Sequence, residues 1–299
     1  VHIAFVTSAA HSELTPDDLL AVAELKKLDV TVSGAVWNDP AVEWGRFDAI
    51  ILRSTWDYHH NADEFRAWIA AREAAGGQVW NPPAVLRWNM EKTYLRDLEA
   101  AGVPVVPTEW LGKGSRPDVR ALLEKRGWSE AVVKPVISAA ATRTWRVSQE
   151  SVAEMDDKIA ESLALGDMMV QPFVAEIQTH GEWSLMFFDG EFSHAVRKMP
   201  LDGDFRVQTG FGGRSSVEYP GDAVLSAVRK VLKAAPSPWL YVRVDGIETA
   251  SGYMLLELEM LEPSLFLAQN AEAPARFAAA IVRLVDRGKA GHSVYHPSI

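Results

Sequence analysis

Three short segments in the last third of the chain carry residues able to act together: Arg243-Val244-Asp245, Leu255-Leu256-Glu257-Leu258-Glu259 and Glu262-Pro263. Side chains two apart on a strand share a face, so Glu257 points with Glu259, and Arg243 with Asp245. If the two strands are neighbours, three carboxylates and a guanidinium share one small area. Leu255, Leu256, Leu258, Met260 and Leu261 surround the acids. Charge in so apolar a strand is costly unless a cation meets it. Magnesium does so with hard oxygen ligands and keeps positions open for phosphate and water. Whether Glu259 or Glu262 completes the set stays open. The opposing reading, an acidic edge face paired with Arg243 and Lys198, would expose Leu258.

Basic residues elsewhere suit a polyphosphate. Lys134 ends a Val-Val-Lys-Pro run, where a lone lysine among valines seeks an anion. Lys92 opens a helix, where the dipole disfavours a cation and turns it towards phosphate. Arg197-Lys198 and Arg206 add positive charge.

Composition narrows the alternatives. With 30 basic and 40 acidic residues the net charge is −10, which disfavours nucleic acid and anionic membrane as partners. Cysteine is absent, which removes disulfides, thiolate nucleophiles and cysteine-ligated metal. The chain opens directly on a strand-like run, His2 to Val6, without a signal-peptide pattern, and a cytoplasmic protein is expected. A homodimer is left open. The Gly-x-Gly-x-x-Gly, phosphate-loop, His-Glu-x-x-His and Gly-x-Ser-x-Gly motifs are all missing. His59-His60 reads as a solvated loop pair.

The elements that must position these groups alternate at first: strands over 2–7, 30–32, 47–52 and 78–80, with a helix capped by Thr15 and another capped by Asn61. Leu19, Leu20, Val22, Ala23 and Leu25 form the first helix's expected apolar face. This pattern predicts a parallel sheet flanked by helices, ending near residue 88. Asn89 is expected to cap the next helix, with Tyr94, Leu95, Leu98 and Ala101 as its buried stripe. A small α+β unit follows to residue 172, with strands over 130–135 and 168–171 and a helix over 151–165. The remainder reads as antiparallel: 183–188 and 191–196 flank the hairpin turn Asp189-Gly190, then strands follow over 239–244 and 253–258 and a closing helix over 273–287.

Over roughly residues 85–270 the sequence resembles the ATP-grasp ligases. That resemblance implies α/β and α+β architecture in three parts: an N-terminal parallel α/β domain (1–88), a small central α+β lid (89–172) and a C-terminal antiparallel-sheet domain (173–299). ATP is then held between the last two. It further implies that Lys92 and Lys134 hold phosphates and that the hinge around Gln171, Phe173 and Val174 reads adenine through its backbone. Glu182 would take the ribose hydroxyls. Magnesium would sit on Asp245, Glu257 and Glu259, with Arg243, Arg206 and Lys134 as catalytic groups. Gly203-Asp204-Phe205-Arg206 is similar to a block of the α-L-glutamate ligase branch. Two departures stand out: Ser138-Ala139-Ala140-Ala141-Thr142 replaces a glycine-rich phosphate loop, and Glu259 stands where the family carries asparagine.

Leu52-Arg53-Ser54-Thr55-Trp56-Asp57-Tyr58 and Leu86-Arg87-Trp88-Asn89 extend the resemblance to the cyclo-ligases that close O-ureido-D-serine to D-cycloserine. The expected partner is a small amino-acid-like carboxylate, phosphorylated by ATP and then attacked by a nitrogen of the same molecule. The products would be ADP, phosphate, CO2 and ammonia beside the ring. Arg53, Thr55, Asp57 and Tyr58 follow a first-domain strand at its ligand-binding end, so Arg53 could hold a carboxylate and Asp57 an amino group. Against this stands a surface loop anchored by Trp56. Arg206 and Gln208 are further candidates for the carboxylate being activated. The competing functions are a ligase joining two molecules and a nucleotide-binding protein without catalysis.

Overall fold

The computed structural model describes residues 1–139, 141–201, 204–207 and 211–289. The first stretch builds β1 (His2–Thr7), α1 (Pro16–Lys27), β2 (Thr31–Val36), β3 (Ala49–Ser54), α2 (Ala62–Ala74), β4 (Val79–Trp80), α3 (Pro83–Asn89) and α4 (Tyr94–Ala100). Its four strands form a parallel sheet in the order β2-β1-β3-β4. The second builds β5 (Glu109–Leu111), α5 (Val119–Arg126), β6 (Glu130–Pro135), β7 (Trp145–Ser148), α6 (Asp156–Leu165) and β8 (Met168–Pro172), an antiparallel sheet ordered β5-β8-β6-β7. The third builds α7 (Glu176–Thr179), β9 (Glu182–Phe188), β10 (Glu191–Met199), β11 (Arg214–Val217), α8 (Asp222–Ala234), β12 (Tyr241–Thr249), β13 (Gly252–Glu259) and α9 (Ala273–Lys289). Its sheet runs β11-β10-β9-β12-β13, with every pairing antiparallel.

The predicted strands and the parallel-then-antiparallel order are present, with several local corrections. Helix α1 is capped by Thr15, whose side chain accepts from the Asp18 amide, but it buries Asp18, Ala21 and Leu25. Leu19 and Leu20 stay exposed, because the contact stripe lies one position away from the expected face. Asn61 precedes α2 without a side-chain capping bond. Asn89 does not cap a helix at all: it ends α3 and is buried. Its amide donates to the Leu258 carbonyl (2.7 Å) and accepts from the Met260 N–H (2.7 Å). The boundary expected at residue 88 therefore falls inside a helix stitched to β13. Ala101 follows α4 as an exposed cap, outside the buried stripe. Helices α3, α5, α7 and α8 and strands β5, β7 and β11 come in addition to the expected elements. Helix α5 does carry legible ends, with Asp118 accepting from the Ala121 N–H and Gly127 closing it at φ 67°.

Helix α9 returns from the chain's end to the first sheet. Phe277, Ile281 and Leu284 pack with Ile3, Phe5, Leu25 and Ile51 of the first unit and with Phe188 and Tyr241 of the third. A second buried hub is Asn81, whose amide donates to the Tyr241 and Met260 carbonyls and accepts from the Leu240 N–H. Sheets one and three are thus fixed to each other through the core and through polar bonds. Among the described residues no helix is long and apolar enough to cross a membrane.

His194 gives this core a pH dependence. It is buried on β10, and one ring nitrogen meets the Leu265 carbonyl at 2.9 Å, so that nitrogen carries the proton. The other lies 2.9 Å from the Ser193 hydroxyl and accepts from it. Burial, with nearby Arg276 opposing positive charge, lowers its pKa to about 4. The unfolded chain takes up this proton below about pH 6.5 and the folded one only near pH 4. Stability is therefore fully present above pH 6.5 and falls on acidification through that window, by up to about 3 kcal/mol. Urea midpoints at pH 7.5 and 5.0 should show this fall in the parent protein and a smaller one in His194→Gln. Equal pH dependence of the two would contradict it.

Candidate active site

The second and third sheets face one another across a cavity of about 480 Å³. Its floor is the pair β12–β13. A strict antiparallel ladder from their turn would set Asp245 opposite Leu256, but a bulge between Asp245 and Gly246 shifts the register by one. Asp245 then pairs with Glu257 and Arg243 with Glu259. All four consequently line the cavity, while the side chains of Val244 and Leu258 are fully buried and join the core. Gly246 permits the bulge to pack closely: a Cβ there would lie 2.6 Å from the Met254 carbonyl oxygen and inside the Tyr253 ring.

Five cations line the cavity (Lys92, Lys134, Lys198, Arg206, Arg243) together with five carboxylates (Glu182, Asp245, Glu257, Glu259, Glu262). Lys134 donates to Glu257 at 2.7 Å, and Lys92 lies 3.9 Å from its other oxygen. Lys92 also donates to the Ser138 carbonyl at 3.2 Å. Arg243 holds Asp245 through Nε (3.0 Å) and Nη2 (2.8 Å), and Nη2 also bonds Glu259. Lys198 pairs with Glu182 and stands 3.7 Å from Asp245, which further accepts from the Ser184 hydroxyl.

These contacts set the charges. Burial alone would raise the Glu257 carboxyl, but Lys134 and Lys92 outweigh it and hold the group down at about 2. Glu259 is pushed up to about 7, because burial and the Asp245 and Glu257 charges overcome Arg243. Glu262 rises to about 8 through burial and the charge of Glu259. Acidic groups are thus crowded at the β13 end of the cavity, and Glu259 and Glu262 relieve the crowding by holding their protons to higher pH. The donors there, all carboxylate oxygens, suit a hard divalent ion in kind. Among the described residues, no three acidic or histidine groups already converge on one point.

At the other end, Val106, Val132, Phe173, Val174 and Ile177 make an apolar wall. Gln171 also lines it, donating to the Thr108 hydroxyl at 3.0 Å. Arg206 also lines the cavity, clamped by both oxygens of Asp204 (3.0 and 2.7 Å) and stacked 3.7 Å over Phe211.

Of the residues singled out in the sequence, Lys92, Lys134, Gln171, Phe173, Val174, Glu182, Arg206, Arg243, Asp245, Glu257, Glu259 and Tyr58 all line this cavity. Gln208 lies outside the described residues, as do Gly203 of its motif and Ala140 of the loop 137–144. Arg53, Thr55 and Asp57 do not line it. Arg53 is 2% exposed and donates from Nε to Asp18 at 2.8 Å. Its guanidinium carbon lies 5.4 Å from the Tyr241 and Phe277 ring centres. Thr55 is fully buried, and Asp57 accepts from the Trp37 indole at 2.9 Å. The loop after β3 presents Trp56 and Tyr58 instead, so Trp56 is a wall of the cavity as well as an anchor.

Sequence reasoning noted Lys198 only as added positive charge, Ser138 only within the replaced phosphate loop and Trp56 only as an anchor, and gave none of the three a site role; all line the cavity. Lys198 was legible only as one of two adjacent basic residues. A bulge between Phe192 and His194 shifts the hairpin so that Lys198, not Arg197, stands opposite Glu182. Gly181, at φ 69°, lets this approach occur, since a Cβ there would lie 2.6 Å from the Lys198 carbonyl oxygen.

Known proteins resemble this chain throughout its length. Residues 3–81 match the family model described as the N-terminal domain of D-cycloserine synthetase DcsG. The cycloserine biosynthesis protein DcsG of Streptomyces lavendulae is 34% identical over 293 residues, covering 93% of this chain and 97% of that protein. The crystal structure of D-cycloserine synthetase DcsG superposes with a TM-score of 0.86 at 30% identity, covering 95% of this chain and 100% of that one. The D-alanine–D-alanine ligase of Bacillus anthracis shares the fold, with a TM-score of 0.72 at 15% identity over 98% of this chain and 99% of its own.

Proposed function

The chain belongs to the family of the cycloserine biosynthesis protein DcsG, within the ATP-grasp ligases, and on that footing we propose that it closes O-ureido-D-serine to D-cycloserine at the expense of ATP. The observation that carries this reading is the facing of Lys92 and Lys134 against the Arg243–Asp245–Glu257–Glu259 array across one cavity. Residues 89–172 and 173–299 hold the nucleotide between them, and residues 1–88 contribute the acid-substrate end through Trp56 and Tyr58.

The purine lies against the apolar wall near Gln171, Phe173 and Val174, and Glu182 bonds the ribose. Lys92, Lys134 and Lys198 take the phosphates, exchanging carboxylate partners for phosphate oxygens. Asp245, Glu257 and Glu259 would hold magnesium, which when bound supplies positive charge that draws phosphoryl oxygens together and offsets their charge. Such a cation also relieves the crowding of acidic groups that a polyphosphate would otherwise meet there.

A carboxylate has no leaving group until phosphorylated. Its oxygen bonds the γ-phosphorus as the β–γ bridge breaks and ADP departs, with Lys134 and Arg243 stabilising the spreading charge. The ureido nitrogen next to oxygen then attacks the acyl carbon, losing its proton as phosphate leaves. Hydrolysis of the carbamoyl group yields CO2 and ammonia. Tethering of nucleophile and acid replaces a second substrate and reduces the entropic barrier. Arg206, fixed by Asp204, is placed to steady the acyl phosphate.

Lys134→Ala is expected to raise the dissociation constant for ATP with magnesium about 10- to 100-fold in titration calorimetry, the cost of losing one charged hydrogen bond. Unchanged affinity would remove Lys134 from the phosphate site. The function itself is tested by supplying ATP, magnesium and O-ureido-D-serine with no amine acceptor. ADP, phosphate and D-cycloserine should appear in equal amounts. ADP release that requires an added amine would instead indicate a two-molecule ligase.

A further inference from the structure

Of the five carboxylates lining the cavity, four have a cationic partner and Glu262 has none within ion-pairing distance among the described residues. Its surroundings are nevertheless tightly built. Four consecutive backbone carbonyls each accept a hydrogen bond from a side chain. Leu261 accepts from the Tyr241 hydroxyl (2.8 Å), Glu262 from the Trp56 indole (2.9 Å), Pro263 from Arg53 (3.3 Å) and Ser264 from Arg243 (3.0 Å). The backbone that carries Glu262 is thus held at every residue, and its side chain lines the cavity. Trp56 and Tyr58 line the same cavity next to it, Trp56 bonded to its carbonyl and Tyr58 close enough to feel its charge. Burial and the charge of Glu259 keep this acid largely protonated until a cation arrives; a small organic ammonium group supplies the missing ion pair, so the proton is lost and the carboxylate forms against it, next to two aromatic residues.

We propose that Glu262, with Trp56 and Tyr58, receives the ammonium group of the amino-acid substrate and thereby selects amino acids over plain carboxylic acids. This rests on the reading of the chain as a ligase for an amino-acid-like acid and adds the group that recognises it. Arg53 becomes a positioning residue in the same arrangement, because it holds the Pro263 carbonyl, and so the aim of Glu262, from behind.

The test compares O-ureido-D-serine with 3-(ureidooxy)propanoic acid, which lacks only the amino group, by ADP release in the parent protein, Glu262→Gln and Glu262→Asp. The parent should favour the amino acid. Glu262→Gln should lose about 10- to 100-fold of that preference, through the Michaelis constant for the acid more than through turnover. The Michaelis constant for ATP and the magnesium dependence should move less than threefold, and Glu262→Asp should recover part of the preference. Equal discrimination in the parent and Glu262→Gln would overturn the proposal, as would a shift confined to the magnesium dependence, which would make Glu262 a metal ligand. Absence of ADP release with O-ureido-D-serine in the parent would overturn the cyclo-ligase reading instead. Glu262 is then tested by binding of D-serine against 3-hydroxypropanoate in the presence of a non-hydrolysable ATP analogue. A preference for D-serine that Glu262→Gln erases supports the proposal, and no such preference overturns it.

Discussion

Replacing Glu257 by glutamine is expected to cut ADP release roughly 10³-fold while leaving the fold in place. The exchange keeps the side chain's shape and removes the carboxylate that Lys134 and Lys92 together hold ionised. Lys134, at 2.7 Å, and Lys92, at 3.9 Å, then face a neutral amide. Phosphate can still bind them, so nucleotide affinity should survive better than turnover. What fails is the balancing of charge as the phosphoryl group moves. The side chain is 23% exposed, and the packing of Leu255 and Leu258 behind it is untouched. The melting temperature should therefore shift by only a few degrees. Steady-state ADP release together with a thermal melt checks both halves; release within tenfold of the parent would remove Glu257 from the chemistry.

The second large effect concerns stability. Arg53→Ala should cost about 3–5 kcal/mol, because it leaves Asp18 charged and buried without its partner. Asp18 is 1% exposed, and the other side chains it bonds are the Thr15 and Ser54 hydroxyls, at 2.7 and 3.4 Å. The Pro263 carbonyl also loses a donor. Pairing Arg53→Met with Asp18→Asn should recover much of the loss, since the stranded charge is removed along with its partner. Urea denaturation of the single and double variants measures this. If Arg53→Ala instead retained full stability and altered only the Michaelis constant for the acid, Arg53 would be a substrate ligand after all.

Glu257 and Arg53 mark where the sequence was informative and where it was not. Period-two patterning placed Glu257 with Glu259 and Arg243 with Asp245, and Leu258 proved buried as the apolar alternation required. The parallel-then-antiparallel order was readable from strand spacing and from the Asp189-Gly190 turn. Register was not. Counting outward from the turns would face Asp245 towards Leu256 and Glu182 towards Arg197, and two bulges correct both pairings. A bulge leaves little mark in a single sequence, although Gly246 is the residue that tolerates one. Arg53 was misplaced for a different reason. Its partner Asp18 is 35 residues away in a helix, and burial of an ion pair depends on tertiary packing that local spacing does not encode. Asn89 failed similarly, because an asparagine that bonds a strand 169 residues on looks locally like a helix cap.

The most direct test is to locate the divalent cation. Crystals grown with manganese in place of magnesium and a non-hydrolysable ATP analogue would show the ion by its anomalous scattering. It should lie in direct contact with carboxylate oxygens from Asp245, Glu257 and Glu259 and with phosphate oxygens, with Lys134 turned from Glu257 to the nucleotide. An ion held elsewhere, with those carboxylates still paired only to Arg243 and Lys134, would contradict the proposed site.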